Sequence, residues 1–217
     1  MLQQQIRDLT GRLVGFARLV EDMVEQSTGA LAGRDPAALD AVCGEMERRS
    51  NELEVELETT GAALIAQFQP KARDLRTVLM VLGITNDLER LGDHAVNIAQ
   101  AVRWLLAHAL SHDISALPRM ARAAARMLDD AITAFISGDA ALARSVCGAD
   151  ATVDDLADAT LREMLAAMAA DPAWIEAGLA VLRIAGNLER VADLATNIGE
   201  DVIYMVEGRV IKHRQDS

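Results

Sequence analysis

The chain has 217 residues, a formal net charge of −12, and a composition that is 51% hydrophobic but only 3% aromatic. Residues that favour strands are scarce beside Ala, Leu, Arg, Glu and Met, which favour helices, so we expect an all-α protein of one large domain or two small ones. The acidic balance argues against a general binder of nucleic acid or anionic lipid, since either needs a basic surface, and it favours cation binding.

Three long helices are predicted in the first half of the chain. Gly29 and Gly33 are expected to end the first of them. Asp35 and Pro36 are typical of a helix start, because Asp caps the free amides and Pro fits the first turn. Pro70 separates the second helix from the third. Judged by apolar residues at spacings of three and four, the helices span about residues 2–28, 36–67 and 70–108.

The second half repeats this plan after a joint at His112 to Pro118. The fourth helix is expected to end near Gly138, and Asp139 to cap the fifth, as Asp35 caps the second. Pro172 is expected to start the sixth helix, as Pro70 starts the third. Each half then forms an up-down-up three-helix bundle, related to the other by a pseudo-twofold axis or by a translation. The predicted domains are residues 1–110 and 111–217, and the linker centres on residues 111–117.

A repeat at long range points to the candidate site. Leu, Glu, Arg, Asp, Ala, Asn and Ile recur in the same order and spacing in Leu88–Ile98 and in Leu188–Ile198, which indicates a duplicated unit. Residues four apart share one face of a helix. The polar members therefore form one stripe in each half, opposite the apolar stripe that faces the core, and on the outside of the bundle: Glu89, Asp93 and Asn97, then Glu189, Asp193 and Asn197.

These stripes are rows of hard oxygen donors, which suit a hard or borderline cation. One helix supplies too few ligands, so a neighbouring helix must contribute. The fifth helix offers Asp150 and Asp154, four residues apart, and the matching positions of the second helix are Glu47 and Asn51 if a one-residue slip is allowed. Because Asn51 is a weaker, neutral ligand, we expect the better site in the second half. The alternative is a solvated helix face that binds nothing.

Repeated residues next to the acids have structural alternatives as well. Arg90 and Arg190 are expected either to clamp the carboxylates in a lattice of salt bridges or to form hydrogen bonds between the bundles. His94 lies off the acid stripe, and a solvated or hydrogen-bonded role is expected for it rather than ligation. Cys43 and Cys147 occupy equivalent places in the repeat and are expected to pack as small hydrophobic residues.

No catalytic constellation is found in the sequence. It contains no Glu-x-x-His pair of a di-iron oxidase, no Gly-rich phosphate loop and no Gly-x-Ser-x-Gly elbow, so we do not expect an enzyme. Residues 1–9 are polar and do not form a signal peptide, and no apolar run approaches the ~20 residues of a membrane span. We expect a cytoplasmic protein without membrane insertion that is able to dock peripherally at the inner membrane. The basic segment 209–217 is expected to be a fraying helix end.

The same residues carry a resemblance to a known family. The chain resembles the PhoU family of phosphate-signalling proteins along essentially its whole length, including the two-repeat layout. Either Glu-x-x-x-Asp motif alone would be weak, but the motifs are specific in combination. They are Gln69-Pro70, Asp74-Leu75-Arg76, Leu88-Glu89-Arg90-Leu91-Gly92-Asp93-His94, Leu188-Glu189-Arg190-Val191-Ala192-Asp193, Ala195-Thr196-Asn197-Ile198 and Val202–Gly208.

The resemblance implies a pair of three-helix bundles, often dimeric, that binds multinuclear iron or another cation such as zinc, manganese or magnesium. It implies a negative regulator that acts between the phosphate ABC transporter and a PhoR-type sensor histidine kinase. Glu89, Asp93, Glu189 and Asp193 match the metal motif of the family, and Asp150 with Asp154 would be their partners in the second bundle.

Two departures from the repeat matter: Ala192 replaces Gly92, and Trp174-Ile175-Glu176 replaces Asp74-Leu75-Arg76. The role of the Asp74-Leu75-Arg76 segment is therefore not duplicated. A helical scaffold or dimerisation bundle without metal-dependent function remains the alternative to the metal-binding regulator.

Overall fold

A computed structural model describes residues 1–33, 35–108 and 116–208. This part of the chain is helical and contains no strand, which confirms the all-α expectation. The linker predicted at residues 111–117 lies mostly outside the described residues, as does the tail at 209–217. The long helices are α1 (Leu2–Gly33), α2 (Pro36–Ala41, Val42–Met46 and Glu47–Phe68 in succession), α3 (Ala72–Ala107), α4 (Ala116–Ser137), α5 (Ala140–Ala170) and α6 (Ile175–Glu207).

Helix starts follow the predicted caps. The side chain of Asp35 accepts hydrogen bonds from the amides of Ala37 and Ala38, at 3.0 and 3.3 Å. Asp139 caps α5 in the same way, at 2.9 and 3.0 Å. The 3₁₀ turn Pro172–Trp174 leads into α6, whereas α3 begins two residues after Pro70.

The predicted bound near residue 28 was too early, because α1 passes Gly29 and ends at Gly33, the second glycine expected to end it. Ala30 is buried there, with 3% of its surface exposed. Burial of an apolar side chain in the following turn is worth more than the weak helix propensity of one glycine. At the other end of the bundle, α2 does stop where Gln69 takes a left-handed backbone with φ of 47°.

A π-helical turn at Val42–Met46 interrupts α2, and no such turn interrupts α5. Up to the first residue of this turn, the buried Leu39 and Val42 match the buried Ala143 and Val146 of α5. After it, the offset falls by one residue, so that buried residues match as Ser50 with Val153, Leu57 with Thr160 and Leu64 with Ala167. One extra residue in a π turn explains the slip between the two repeats.

Helices α1, α2 and α3 form the first bundle, and α4, α5 and α6 form the second. The bundles meet where α3 packs against α6 and α1 packs against α4, so that equivalent helices face each other. The ring of His94 donates from Nδ1 to Oδ1 of Asn187 at 2.8 Å, and a Cβ on Gly83 would lie 3.2 Å from Oδ2 of Asp201. Residue numbers of the contacting pairs rise along α3 as they fall along α6, so these two equivalent helices are antiparallel. The two bundles are therefore related by a pseudo-twofold axis rather than by a translation.

One hydrophobic core extends through both bundles and joins buried residues of all six long helices. Leu88, Leu91, Ala95 and Ile98 of α3 and their counterparts in α6 are all fully buried, as the apolar stripe predicted. Within the described ranges, none of the helices is long and apolar enough to cross a membrane.

Candidate functional site

The second bundle brings together the four carboxylates that sequence analysis assigned to it. Asp150 and Asp154 lie on α5, and Glu189 and Asp193 lie on α6, the helix packed most extensively against it. The two backbones approach closely at Gly199, where a Cβ would lie 3.1 Å from the carbonyl oxygen of Ala143. The acids occupy the surface groove between these helices, away from the apolar core.

Burial and mutual repulsion both act on the pKa values of these groups. Burial raises the pKa of Asp150, and the charges of Asp154, Asp193 and Glu189 raise it further. Burial also raises the pKa of Asp154, with Asp193 as the largest charged contributor. Four negative charges therefore share a small region that a cation would stabilise.

Asp150 also contains an unsatisfied atom. Its Oδ1 is buried and has no hydrogen-bond partner among the described residues. A buried carboxylate oxygen without a partner is costly, and a bound proton or cation would remove that cost. The chemistry of these donors thus suits a hard cation in the second bundle.

The repeated arginines behave differently in the two halves. Arg190 pairs with Asp193 of the acid stripe at 3.1 Å. Arg90 instead lies 3.8 Å from Asp87, a residue outside the stripe. The salt-bridged alternative is therefore supported directly only for Arg190. His94 forms a hydrogen bond between the bundles, in keeping with the hydrogen-bonded role expected for it.

In the first bundle the acid stripe faces a residue that the sequence analysis missed. Burial raises the pKa of Glu89, followed by the charges of Asp93 and Glu54. The pKa of Glu54 is raised by burial and then by Glu58 and Asp93. A Cβ on Gly92 would lie 2.9 Å from Oγ of Ser50, which sets the register of the antiparallel helices. Glu54, one turn further along α2, therefore lies level with Glu89.

Glu47 and Asn51 do occupy the positions of α2 that match Asp150 and Asp154, once the π turn is counted. Burial raises the pKa of the neighbouring Cys43, Arg103 lowers it, and the charge of Glu47 raises it again. A usable signal for Glu54 was the Glu54–Glu58 pair, which has the same four-residue spacing as the acids of α3.

Exposure of the acids matches a surface site rather than a core site. Asp93 and Asp154 are exposed, and the remaining predicted ligands are partly buried: Glu47, Glu89, Asn97, Asp150, Glu189, Asp193 and Asn197. Across the described ranges, no three His, Cys, Asp or Glu side chains converge closely enough to hold a metal ion. Ligation would therefore need changes of side-chain rotamer, and the ligand set stays a prediction.

Both cysteines are free and partly buried. Burial raises the pKa of the Cys43 thiol and of the Cys147 thiol. A raised pKa lowers the fraction of reactive thiolate. These properties support the packing role expected for the two residues.

Comparisons with known proteins agree with this architecture. The family model described as "PhoU domain" matches residues 13–102 and 117–202, one match in each half. A phosphate-specific transport system accessory protein PhoU homolog of Streptococcus pneumoniae is 31% identical over 95% of both chains. A homolog of the same description from Caulobacter vibrioides is 34% identical over 94% of this chain and 89% of its own.

Solved structures are similar as well. The crystal structure of PhoU from Pseudomonas aeruginosa superposes with a TM-score of 0.93 at 30% identity, covering 96% of this chain and 100% of that one. The regulatory protein PhoU of the Streptococcus pneumoniae phosphate transport system gives a TM-score of 0.89 at 29% identity, covering 98% and 100%.

Proposed function

The chain belongs to the PhoU family, and from this premise we propose that it is an accessory protein of a phosphate-specific transport system. The observation that carries the proposal is similarity at 31–34% identity along both repeats to proteins of that description. The finer proposal is a negative regulator that links the phosphate ABC transporter ATPase to a PhoR-type sensor histidine kinase. It would act in the cytoplasm, as a homodimer held at the inner membrane by these partners.

An exposed apolar patch supports the binding of a protein partner. Near the end of the second bundle, Gly178 of α6 abuts Met168 of α5. Leu165 and Leu179 lie within one turn of this contact and are 53% and 52% exposed. Ile175, three residues before Gly178, and Leu161, one turn before Leu165, are also exposed. Exposed apolar patches are common at protein interaction sites.

A pull-down from phosphate-replete cells tests the partner assignment. The tagged protein is expected to retain the transporter ATPase, the sensor kinase or both, and Leu165→Glu with Leu179→Glu should reduce retention. Arg7→Gln with Arg12→Gln, at exposed positions, changes the net charge by the same −2 and is the control for charge. Failure to recover either partner with the unchanged chain would contradict the adaptor proposal.

We further propose that the acid rows bind a hard or borderline cation, with the second bundle binding it more tightly. Asp150, Asp154, Glu189 and Asp193 would hold it, and Arg190 would position Asp193. In the first bundle the donors would be Glu54, Glu89 and Asp93. The cation would supply the positive charge that these groups lack, and it would fix the groove between the second and third helices of each bundle. The metals to test are iron, zinc, manganese and magnesium.

Elemental analysis tests the cation proposal. Glu189→Ala with Asp193→Ala is expected to lower the bound metal per chain while the helical circular dichroism stays unchanged. Glu52→Ala with Glu56→Ala removes the same charge from acids that Arg49 already pairs with, and it should leave the metal content intact. Equal metal in both variants would contradict the ligand assignment. A melting temperature that no cation changes would favour the scaffold alternative.

A further inference from the structure

A polar cavity of about 320 Å³ lies at the junction of the two bundles, far along α3 from the acid stripe. It is formed by the first turns of α3, by the end of α4 and by the last turns of α6. It therefore touches both bundles. Its lining includes Arg73, Arg76, Thr77, Ser137, Gly138 and Val206.

The two arginines of this cavity carry charge that the described residues do not neutralise. Nε of Arg76 is buried and has no hydrogen-bond partner among those residues. Within the same part of the chain, neither arginine forms an ion pair, although Arg49, Arg103 and Arg144 do. Arg73 is exposed and Arg76 is partly buried, and a buried guanidinium nitrogen normally has a hydrogen-bond partner.

Acids close to the cavity already have partners. Asp74, between the two arginines in sequence, accepts from Nε2 of Gln3 at 3.0 and 2.9 Å. Glu207, next to the lining residue Val206, accepts two hydrogen bonds from Arg144 at 2.8 and 2.7 Å. Neither carboxylate is turned to the cavity as a partner for Arg73 or Arg76.

The partial charges of the nearby helix ends offset the positive charges of Arg73 and Arg76 only in part. The ends of α4 and α6 each bring a partial negative charge of about 0.5, whereas the start of α3 brings a positive one of about the same size. Two full guanidinium charges exceed that difference. The hydroxyls of Thr77 and Ser137 donate to carbonyls of their own helices, so the guanidinium groups are the available donors. The cavity therefore favours an anion with several acceptor oxygens.

The second repeat provides an internal comparison. Ala173 and Glu176 stand at the positions that match Arg73 and Arg76. The positive charge is therefore absent from the counterpart, where it is replaced by a negative one. A purely structural need of the bundle would apply to both repeats, so the arginine pair is specific to this cavity.

We propose that this cavity binds a phosphate group through Arg73 and Arg76. The geometry calls for an oxyanion, and the choice of phosphate among oxyanions rests on the proposed function. Both arginines belong to α3, and the cavity also touches the ends of α4 and α6, so the bound anion would neutralise charge where the two bundles meet. Phosphate concentration would then act directly on the stability of this junction.

Isothermal titration calorimetry at constant ionic strength tests the proposal, with inorganic phosphate and with O-phosphoserine in separate titrations. Saturable binding of either supports the site, and the tighter ligand identifies a free anion or a phosphorylated side chain as the source. Arg73→Gln with Arg76→Gln should weaken binding at least about tenfold, as expected for lost charge-assisted hydrogen bonds. Arg76→Glu, which copies the second repeat, should abolish it.

The matched control is Arg12→Gln with Arg183→Gln, which removes the same charge from exposed residues outside the cavity. This variant should bind the ligand like the unchanged chain. Binding by neither ligand, or equal binding by the cavity variant and the control, would overturn the proposal. The pull-down is independent of this result: partners recovered without phosphate binding would refute only the cavity, and phosphate binding without partners would refute only the adaptor.

Discussion

Glu21 is a carboxylate placed where a protonated form is favoured. It lines a groove of about 570 Å³ between α1 and α4, near Asp129 of the opposite bundle. Its Oε1 is buried and has no hydrogen-bond partner in the described part of the chain. Burial, then repulsion from Asp129, raises the pKa of Glu21 to about 7, and Arg18 offsets this only in part.

This shift predicts a pH-dependent stability. Because the folded state holds the proton more tightly than the unfolded chain, the free energy of unfolding should fall as pH rises from about 4.5 to about 7 and then level off. Glu21→Gln mimics the protonated form and should remove that slope. Allowing for solvent screening of a partly buried group, the variant should gain on the order of 1 kcal/mol at pH 8.

Urea denaturation at pH 5 and pH 8 measures both quantities. Glu25→Gln, an exposed acid of the same helix, is the control for the loss of one charge. A pH profile that is identical for the unchanged chain and Glu21→Gln would contradict the prediction.

Sequence periodicity correctly predicted which residues share a face of one helix. The stripe of Glu89, Asp93 and Asn97 follows from 3.6 residues per turn, and so does the buried stripe opposite. Glu54 and Glu21 depend on contacts between helices, in which a residue of α2 or α1 meets one of α3 or α4. Local spacing does not determine that register, so these two residues required the structure.

The π turn of α2 is the clearest difference between equivalent elements. A deletion of Gly44 should convert Val42–Met46 to regular α-helix and leave Ser50 and Leu57 buried, because the deletion removes the one extra residue. A Cβ at Gly44 or at its counterpart Gly148 would meet nothing within 4 Å, so the two deletions differ chiefly in their effect on helical register.

Deletion of Gly148 from the regular α5 should be far more damaging. It would rotate the preceding part of the helix relative to the following part by about 100°. Buried residues such as Val153 and Met164 would leave their places, at about 1.5–3 kcal/mol for each large side chain. Urea denaturation should show a loss of no more than about 2 kcal/mol for the Gly44 deletion, in the range of an ordinary substitution. Equal losses in the two variants would contradict this account.

The element boundaries were largely predictable because capping residues are local. Asp35 and Asp139 cap helices that the sequence placed correctly, and α4 ends one residue before Gly138. The one-residue slip was also visible in the sequence, as the match of Glu47 and Asn51 with Asp150 and Asp154. Its cause was not, because a π turn has no required residue type and depends on which side chains the tertiary core buries.

At the scale of the whole molecule, the division at residues 110 and 111 separates two repeats of the chain but not two cores. Buried residues of α3 and α6 belong to the same continuous cluster, and α1 also packs against α4. A half chain would expose the apolar surface that its partner half now covers. The repeat was evident from sequence, whereas the pseudo-twofold packing of α3 on α6 was not, because both helices carry the same pattern.

Continuity of the core predicts that both bundles unfold together. The chain has two tryptophans, one in each half, so Trp104→Phe and Trp174→Phe leave a fluorescence probe in one bundle at a time. The two single-tryptophan variants should unfold at the same urea concentration in a two-state transition. Ile198→Ala, in the fully buried stripe of α6, should cost about 2–5 kcal/mol.

Ile198→Ala should lower the midpoint reported by Trp104 as much as the one reported by Trp174, although the substitution lies in the second bundle. If the Trp104 signal kept its midpoint, the bundles would be energetically separate and the boundary at residue 110 would divide two folding units. Coupled unfolding has a consequence for regulation: a ligand that binds either bundle, or the cavity between them, changes the stability of the whole molecule. Ligands bound at either acid stripe or in the Arg73–Arg76 cavity would then shift the same folding equilibrium.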